Sequence, residues 1–137
     1  MKRIKFIFSI FLCFLISSCS DSSRSLSNCK QNSGHIYVDN TIMSFGVVKR
    51  KDLKNVCCKF KLTNTGSIPI GISKVDVSCK CISANITSDT ILPNRDQLLT
   101  ITVDPNSSIG YLNKVVFVNS DADNPVILLR VKGKIIE

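Results

Sequence analysis

From His35 to the C-terminus, apolar and polar residues alternate in short runs broken by Asn, Asp, Gly, Pro and Ser, and no run of useful length repeats at helical spacing. In NVCCKFKLTN (55–64), Val56, Cys58, Phe60 and Leu62 alternate with Cys57, Lys59, Lys61 and Thr63, which predicts a strand with one buried and one wet face. The turn NTGSIP follows at 64–69. IGISKVDVS then places Ile70, Ile72, Val75 and Val77 inward, with a change of register between the two pairs. Leu99, Ile101 and Val103 share a face, as do Leu112, Val116 and Val118. Leu129, Val131, Gly133 and Ile135 alternate with Arg130, Lys132 and Lys134. Residues 82–90, rich in Ser, Asn and Thr, are expected to be irregular, and LPN at 92–94 marks a turn. With strands near 36–40 and 42–48 the count is about seven. About seven short strands in roughly 100 residues predict an all-β fold, an antiparallel immunoglobulin-like β-sandwich forming one domain over 35–137.

The N-terminus obeys a different pattern. Lys2, Arg3 and Lys5 precede an apolar run from Phe6 to Ile16, and small residues lead into Cys19. The run is shorter than the roughly 20 residues a membrane-spanning helix needs, so residues 1–18 are expected to be a cleaved signal peptide. Ile16-Ser17-Ser18-Cys19 resembles a bacterial lipobox, which makes Cys19 the expected lipidation site and membrane lipid, palmitate-like acyl chains included, the first expected partner. Ser20 after the lipidated position is consistent with the outer membrane of a Gram-negative cell. Residues 19–34, polar and serine-rich, are expected to be a flexible tether.

Composition then narrows the classes of function. Without residues 1–18 the chain keeps fifteen basic and ten acidic residues, a net +5. The positives are scattered in sequence, with Lys49-Arg50-Lys51 the one run, expected to be a solvated turn. No nucleic-acid partner is expected, since that needs a basic face interleaved with aromatics together with access to the compartment, which an exported lipoprotein lacks; the modest excess suits an anionic membrane surface. There is no Gly-x-Ser-x-Gly, no acid pair in a recognisable setting and no Cys-x-x-Cys, so no catalytic residue and no cofactor is expected. Asn85-Ile86-Thr87, Asn106-Ser107-Ser108 and Asp89-Thr90-Ile91 match glycosylation patterns, but the bacterial address makes chance the reading of the two asparagine motifs.

Of seven cysteines, Cys13 and Cys19 lie in the signal and anchor, which leaves Cys29, Cys57, Cys58, Cys79 and Cys81. An odd number leaves one thiol unpaired or bonded elsewhere. Cys57 and Cys58 point to opposite faces of one strand, with Cys58 in the core. On a regular strand Cys79 and Cys81 would have α-carbons roughly 6.6–6.8 Å apart, at the upper limit for a disulfide, so a bond between them needs a kink. A bridge from 57–58 to 79–81 also stays open. A metal reading takes Cys79 and Cys81 as thiolates for copper(I), but the one-residue spacing, the lone His35 and the two methionines give it little support, and no metal site is assigned.

FGVV (45–48), FKLTNTGSIPIGISKV (60–75), SCKC (78–81), ILPN (91–94), GYLNKVVFVNS (110–120) and LLRVKGKI (128–135) together resemble the bacterial lipoprotein family called domain of unknown function 1573. The resemblance implies an immunoglobulin-like sandwich akin to major-sperm-protein and ciliary ASH domains, exported and often lipidated, with no established reaction. This chain has Lys80 where the family usually has glycine between the cysteines, and Pro93-Asn94 where it usually has Pro-Gly; Asn also tolerates the left-handed conformation. The expected function is therefore a lipid-anchored, non-enzymatic binding or structural module of the cell envelope with a protein partner there. The alternative is a thiol-redox client or copper(I) binder using Cys79 and Cys81.

Overall fold

The computed structural model describes residues 33–104, 106 and 109–137. Among these the strands are, in chain order, β1 (Ile36–Val38), β2 (Ile42–Lys49), β3 (Cys57–Asn64), β4 (Ile70–Val77), β5 (Ile82–Ile86), β6 (Thr90–Ile91), β7 (Asp96–Val103), β8 (Gly110–Ser120) and β9 (Val126–Ile136), with a short 3-10 helix over Arg50–Asn55. They form two sheets, β1-β3-β7-β5 and β2-β9-β8-β4-β6, packed as an immunoglobulin-like sandwich. The signal peptide, Cys13, Cys19, Cys29 and the tether up to residue 32 lie outside the described residues.

The period-2 pattern decides which side chains meet. Cys58, Phe60 and Leu62 of β3, with Leu99, Ile101 and Val103 of β7, face Val116 and Val118 of β8 and Leu129, Val131 and Ile135 of β9, all buried. Each such side chain contributes about 1.5–3 kcal/mol on burial, so this layer holds the sheets together. The core is drawn entirely from residues 36–135, and residues 31–137 form a compact unit of their own. No buried side-chain nitrogen or oxygen among the described residues lacks a hydrogen bond.

The predicted register change in β4 is a bulge between Ile72 and Lys74 in its pairing with β8, which leaves Ile70 and Ile72 buried and Val75 and Val77 partly so. At the 92–95 turn the Arg95 N–H donates to the Leu92 carbonyl at 3.1 Å, and Asn94 adopts φ 56°. Asparagine therefore does serve where a left-handed residue is required.

Three features differ from expectation. Residues 82–86 are a strand, because Ile82 is buried and Ala84 and Ile86 half-buried while Ser83 and Asn85 face water: the alternation is present although the polar positions carry turn-forming residues. With the two-residue β6, this raises seven strands to nine. Secondly, one ladder is parallel: within three residues after β1 the chain crosses from one sheet to the other, where β2 runs alongside β9. Thirdly, the fold begins before His35. Gly34 is buried with no room for a side chain, since a Cβ there would lie 2.3 Å from Ile70 Cγ1.

Candidate functional site

The β4–β5 turn carries the cysteine pair. Its start is pinned to β8 by two bonds: the Ser78 N–H donates to the Val115 carbonyl at 3.0 Å, and the Val115 N–H donates to Ser78 Oγ at 3.1 Å. Its end is tied to the strand beyond, where the Asp104 N–H donates to the Cys81 carbonyl at 2.9 Å. Between these ties the chain turns, Cys79 and Cys81 are joined by a disulfide, and their α-carbons are 5.3 Å apart. That is shorter than a regular strand permits, so the kink that a bond at this spacing demands is present. Both cysteines pack partly against the core, the Cys81 N–H lies 3.2 Å from Cys79 Sγ, and Lys80 projects into water.

Cys57 and Cys58 are free thiols, one exposed and one buried, so neither is bridged to the turn. Burial, and then the charge of neighbouring Cys57, push the Cys58 thiol above its ordinary 9.0. A buried thiol held protonated is an inert packing group. No group of three or more His, Cys, Asp or Glu stands together among the described residues in a way that could hold an ion. The disulfide occupies both sulfurs that a copper(I) reading would use.

His35 Nδ1 lies 2.7 Å from Asp123 Oδ1, and Ser33 Oγ lies 3.4 Å from Asp123 Oδ2. These are the residue types of a hydrolytic triad in another arrangement: the serine bonds the carboxylate, and not the imidazole that would have to take its proton. The cluster's role is mechanical. It joins the N-terminal segment to the β8–β9 turn, where Asn124 also pairs with Ile36 as a neighbouring strand would, accepting from its N–H at 3.0 Å and donating to its carbonyl at 2.7 Å. The free edge of β1 is covered at Ile36 in this way.

The edge of β5 is different, since β5 is the last strand of its sheet and pairs with β7 alone. Cys79, Cys81 and this edge are contiguous in the chain. Sequence reasoning found the cysteines and missed the edge, although the apolar alternation of ISANI was the available signal.

A family model described as a protein of unknown function, DUF1573, matches residues 36–135. The chain belongs to the DUF1573 family. DUF1573 membership accounts for the sandwich and assigns no reaction to it. Among solved structures, a protein of unknown function from Porphyromonas gingivalis W83 is similar over 75% of this chain and 47% of its own, at 18% identity and a TM-score of 0.66. The VesB protease of Vibrio cholerae is 12% identical over 77% of this chain and 32% of its own, with a TM-score of 0.55. The YadV chaperone is 14% identical over 74% and 52%, with a TM-score of 0.53. This DUF1573 chain spans about half the length, or less, of these solved proteins. At such identities the likeness is one of fold. No curated protein matches the sequence.

Proposed function

We propose that this chain is a lipid-anchored protein of the bacterial cell envelope, held by acylated Cys19 in the outer membrane, whose sandwich is a non-enzymatic binding or structural module for another envelope protein. The observation that carries the binding part is the edge of β5, a five-residue strand with one sheet neighbour. An extended partner segment added there gains main-chain hydrogen bonds worth about 0.5–1.5 kcal/mol each, with pockets for alternate side chains setting specificity. A sandwich of similar fold, YadV, is a chaperone. The anchor rests on Lys2, Arg3, Lys5, the apolar run Phe6–Ile16 and the small residues before Cys19.

Two experiments test the two halves. A photo-crosslinking residue at Asn85 is expected to capture a discrete envelope protein that the same residue at Lys59, on the same outer face but two strands in from the edge, does not; equal capture from both, or none from either, rejects edge binding. Metabolic labelling with a fatty-acid probe is expected to mark the wild type, and label retained in Cys19→Ala would reject the anchor.

The disulfide supports a second reading, a thiol-redox client exchanging the Cys79–Cys81 bridge with an envelope dithiol. Under mild reduction that leaves the fold intact, both cysteines should then become alkylated; continued protection would leave the bridge a piece of architecture.

A further inference from the structure

The outward face of the larger sheet has a charge pattern that the linear sequence hides. Arg130, Lys132 and Lys134 alternate with the buried Leu129, Val131 and Ile135, so all three cations stand in one row on the outer side of β9, their α-carbons about 6.6–6.8 Å apart. Neighbouring positions on that face are Ile42, Ser44 and Val47 of β2 and Tyr111, Asn113, Val115 and Phe117 of β8. Strands β2, β8 and β9 contain no Asp or Glu at all. Asp76 on β4 is the carboxylate on the neighbouring strand, and it is already paired with Lys74 at 2.7 Å.

The face is also unusually apolar between its charges. Leu128, Val126, Phe117 and Ile42 are exposed toward one end, and Tyr111, 85% exposed, lies at the other with Lys134 Nζ 5.2 Å from its ring centroid. A shallow hollow of about 430 Å³ lies there, lined among others by Ser44, Val47, Tyr111, Asn113, Lys132 and Lys134. Cations that attract phosphate, interleaved with aliphatic and aromatic side chains that enter the headgroup layer, form the combination that binds a bilayer surface.

We infer that the β2-β9-β8 face is a docking surface for an anionic phospholipid bilayer, with Arg130, Lys132 and Lys134 on the headgroup phosphates and Tyr111, Leu128 and Phe117 at the interface. The inference builds on the anchored reading above. Thirteen residues lie between Cys19 and Ser33, and the fourteen steps span up to about 45–50 Å when extended, so an anchored domain can lay this face on the membrane. The opposite sheet offers no equivalent: Lys61 is paired with Asp96 at 3.1 Å, and Lys59 stands without a matching row.

The test uses residues 31–137, the compact unit that contains the whole core and carries no acyl group. It is expected to co-sediment at low salt with vesicles of phosphatidylglycerol and phosphatidylcholine, to ignore vesicles of phosphatidylcholine alone, and to be released as salt shortens the screening length. Each neutralised cation should weaken binding about fivefold, so Arg130→Gln with Lys132→Gln should weaken it roughly 25-fold. The paired control Lys59→Gln with Lys61→Gln should change it less than twofold, and unchanged melting curves show that all variants are folded. The inference is overturned if the unit ignores phosphatidylglycerol, binds both vesicles equally, or is weakened as much by the control pair. It is likewise overturned if the β9 cations prove necessary for binding an acidic protein while vesicles are ignored. Because no acyl group is present, these failures would leave the Cys19 anchor standing, and fatty-acid labelling decides that separately.

Discussion

Asn64 is the buried polar residue on which the end of the sandwich depends, and replacing it by alanine is the perturbation with the most legible consequence. Its side-chain nitrogen donates to the carbonyls of Ile68 at 2.7 Å and Ile91 at 2.9 Å, and its side-chain oxygen accepts from the Gly66 N–H at 2.9 Å. Its own backbone N–H and carbonyl meet Arg95 and Asn94 at 3.0 and 2.9 Å. One residue thus fixes the 64–69 turn and the 92–95 turn together. The 64–69 turn in turn receives the N-terminal segment, for a Cβ on Gly66 would lie 2.1 Å from the Ser33 carbonyl oxygen. Asn64→Ala removes three hydrogen bonds, worth about 0.5–1.5 kcal/mol each: the half-buried Ile68 carbonyl and Gly66 N–H can turn to water, while the buried Ile91 carbonyl keeps Ile70 opposite it in the β4–β6 ladder. The sum is about 1.5–4.5 kcal/mol, a large share of the roughly 5–15 kcal/mol that holds a domain.

For a domain of this size that loss lowers Tm by about 6–18 °C, as circular dichroism melting would measure. Asn64→Asp sharpens the argument because it keeps the shape and the acceptor but points a carboxylate at two carbonyls. At neutral pH it should be no more stable than Asn64→Ala. Burial beside carbonyls raises the folded-state pKa of such an Asp, so its deficit should shrink as pH falls below that pKa and the neutral acid can donate one bond. A Tm loss under about 3 °C for Asn64→Ala, or an Asp variant clearly more stable than the Ala variant at neutral pH, would refute the assignment.

Other substitutions probe other parts of the fold. A Cβ on Gly133 would meet the Phe45 ring at 2.2 Å, so Gly133→Ala should cost about 1–3 kcal/mol by denaturant titration, and Phe45→Leu should recover part of it in the double variant. Under native conditions a maleimide should label Cys57 quickly and Cys58 only after unfolding; equal rates would contradict the strand assignment. Because the folded Cys58 thiol is raised above 9.0, its contribution to stability is complete below that pH and is lost as pH rises toward the folded value, so Cys58→Val should flatten the alkaline fall in Tm. Opening the Cys79–Cys81 bridge with Cys79→Ala and Cys81→Ala closes no long loop and should cost only about 1.5 kcal/mol; a loss above 4 kcal/mol would show that the bridge staples more than its own turn.

What was legible in the sequence is what a period of two can express. Phe60, Leu62, Leu99, Ile101, Leu129 and Val131 alternate with polar neighbours and are buried as that alternation requires. The slip between Ile72 and Val75 is equally local, since both pairs can face inward only if one residue is extra. Strand β5 escaped because Ser83 and Asn85 are turn-forming types on the wet side of a strand, and tertiary pairing with β7 outweighs their preference. Asn64 escaped for another reason. Its partners come from two turns up to 27 residues away, and no pattern within one strand reports them. The cysteine turn stood between: the spacing shows that a Cys79–Cys81 bond needs a kink, but the choice of that partner over Cys57 or Cys58 depends on where three separate strands end.

The cations of β9 show how function can be separated from folding on such a scaffold. Core and outer positions alternate along β9, so Arg130 and Lys132 are free to be any residue that leaves Leu129 and Val131 in place. Folding alone gives no reason to line them up. Like charges at alternate positions of one strand repel one another, less with salt, and threonine at the same positions would suit a strand better. No carboxylate on β2 or β8 relieves that repulsion, whereas Lys61 and Lys74 elsewhere on the surface each have an aspartate partner. A row of unopposed cations beside exposed Leu128, Phe117 and Tyr111 is therefore a cost to the isolated domain that an anionic surface would remove. On this argument the stability of the unit should rise when phosphatidylglycerol vesicles are added, and the gain should vanish with Arg130→Gln and Lys132→Gln.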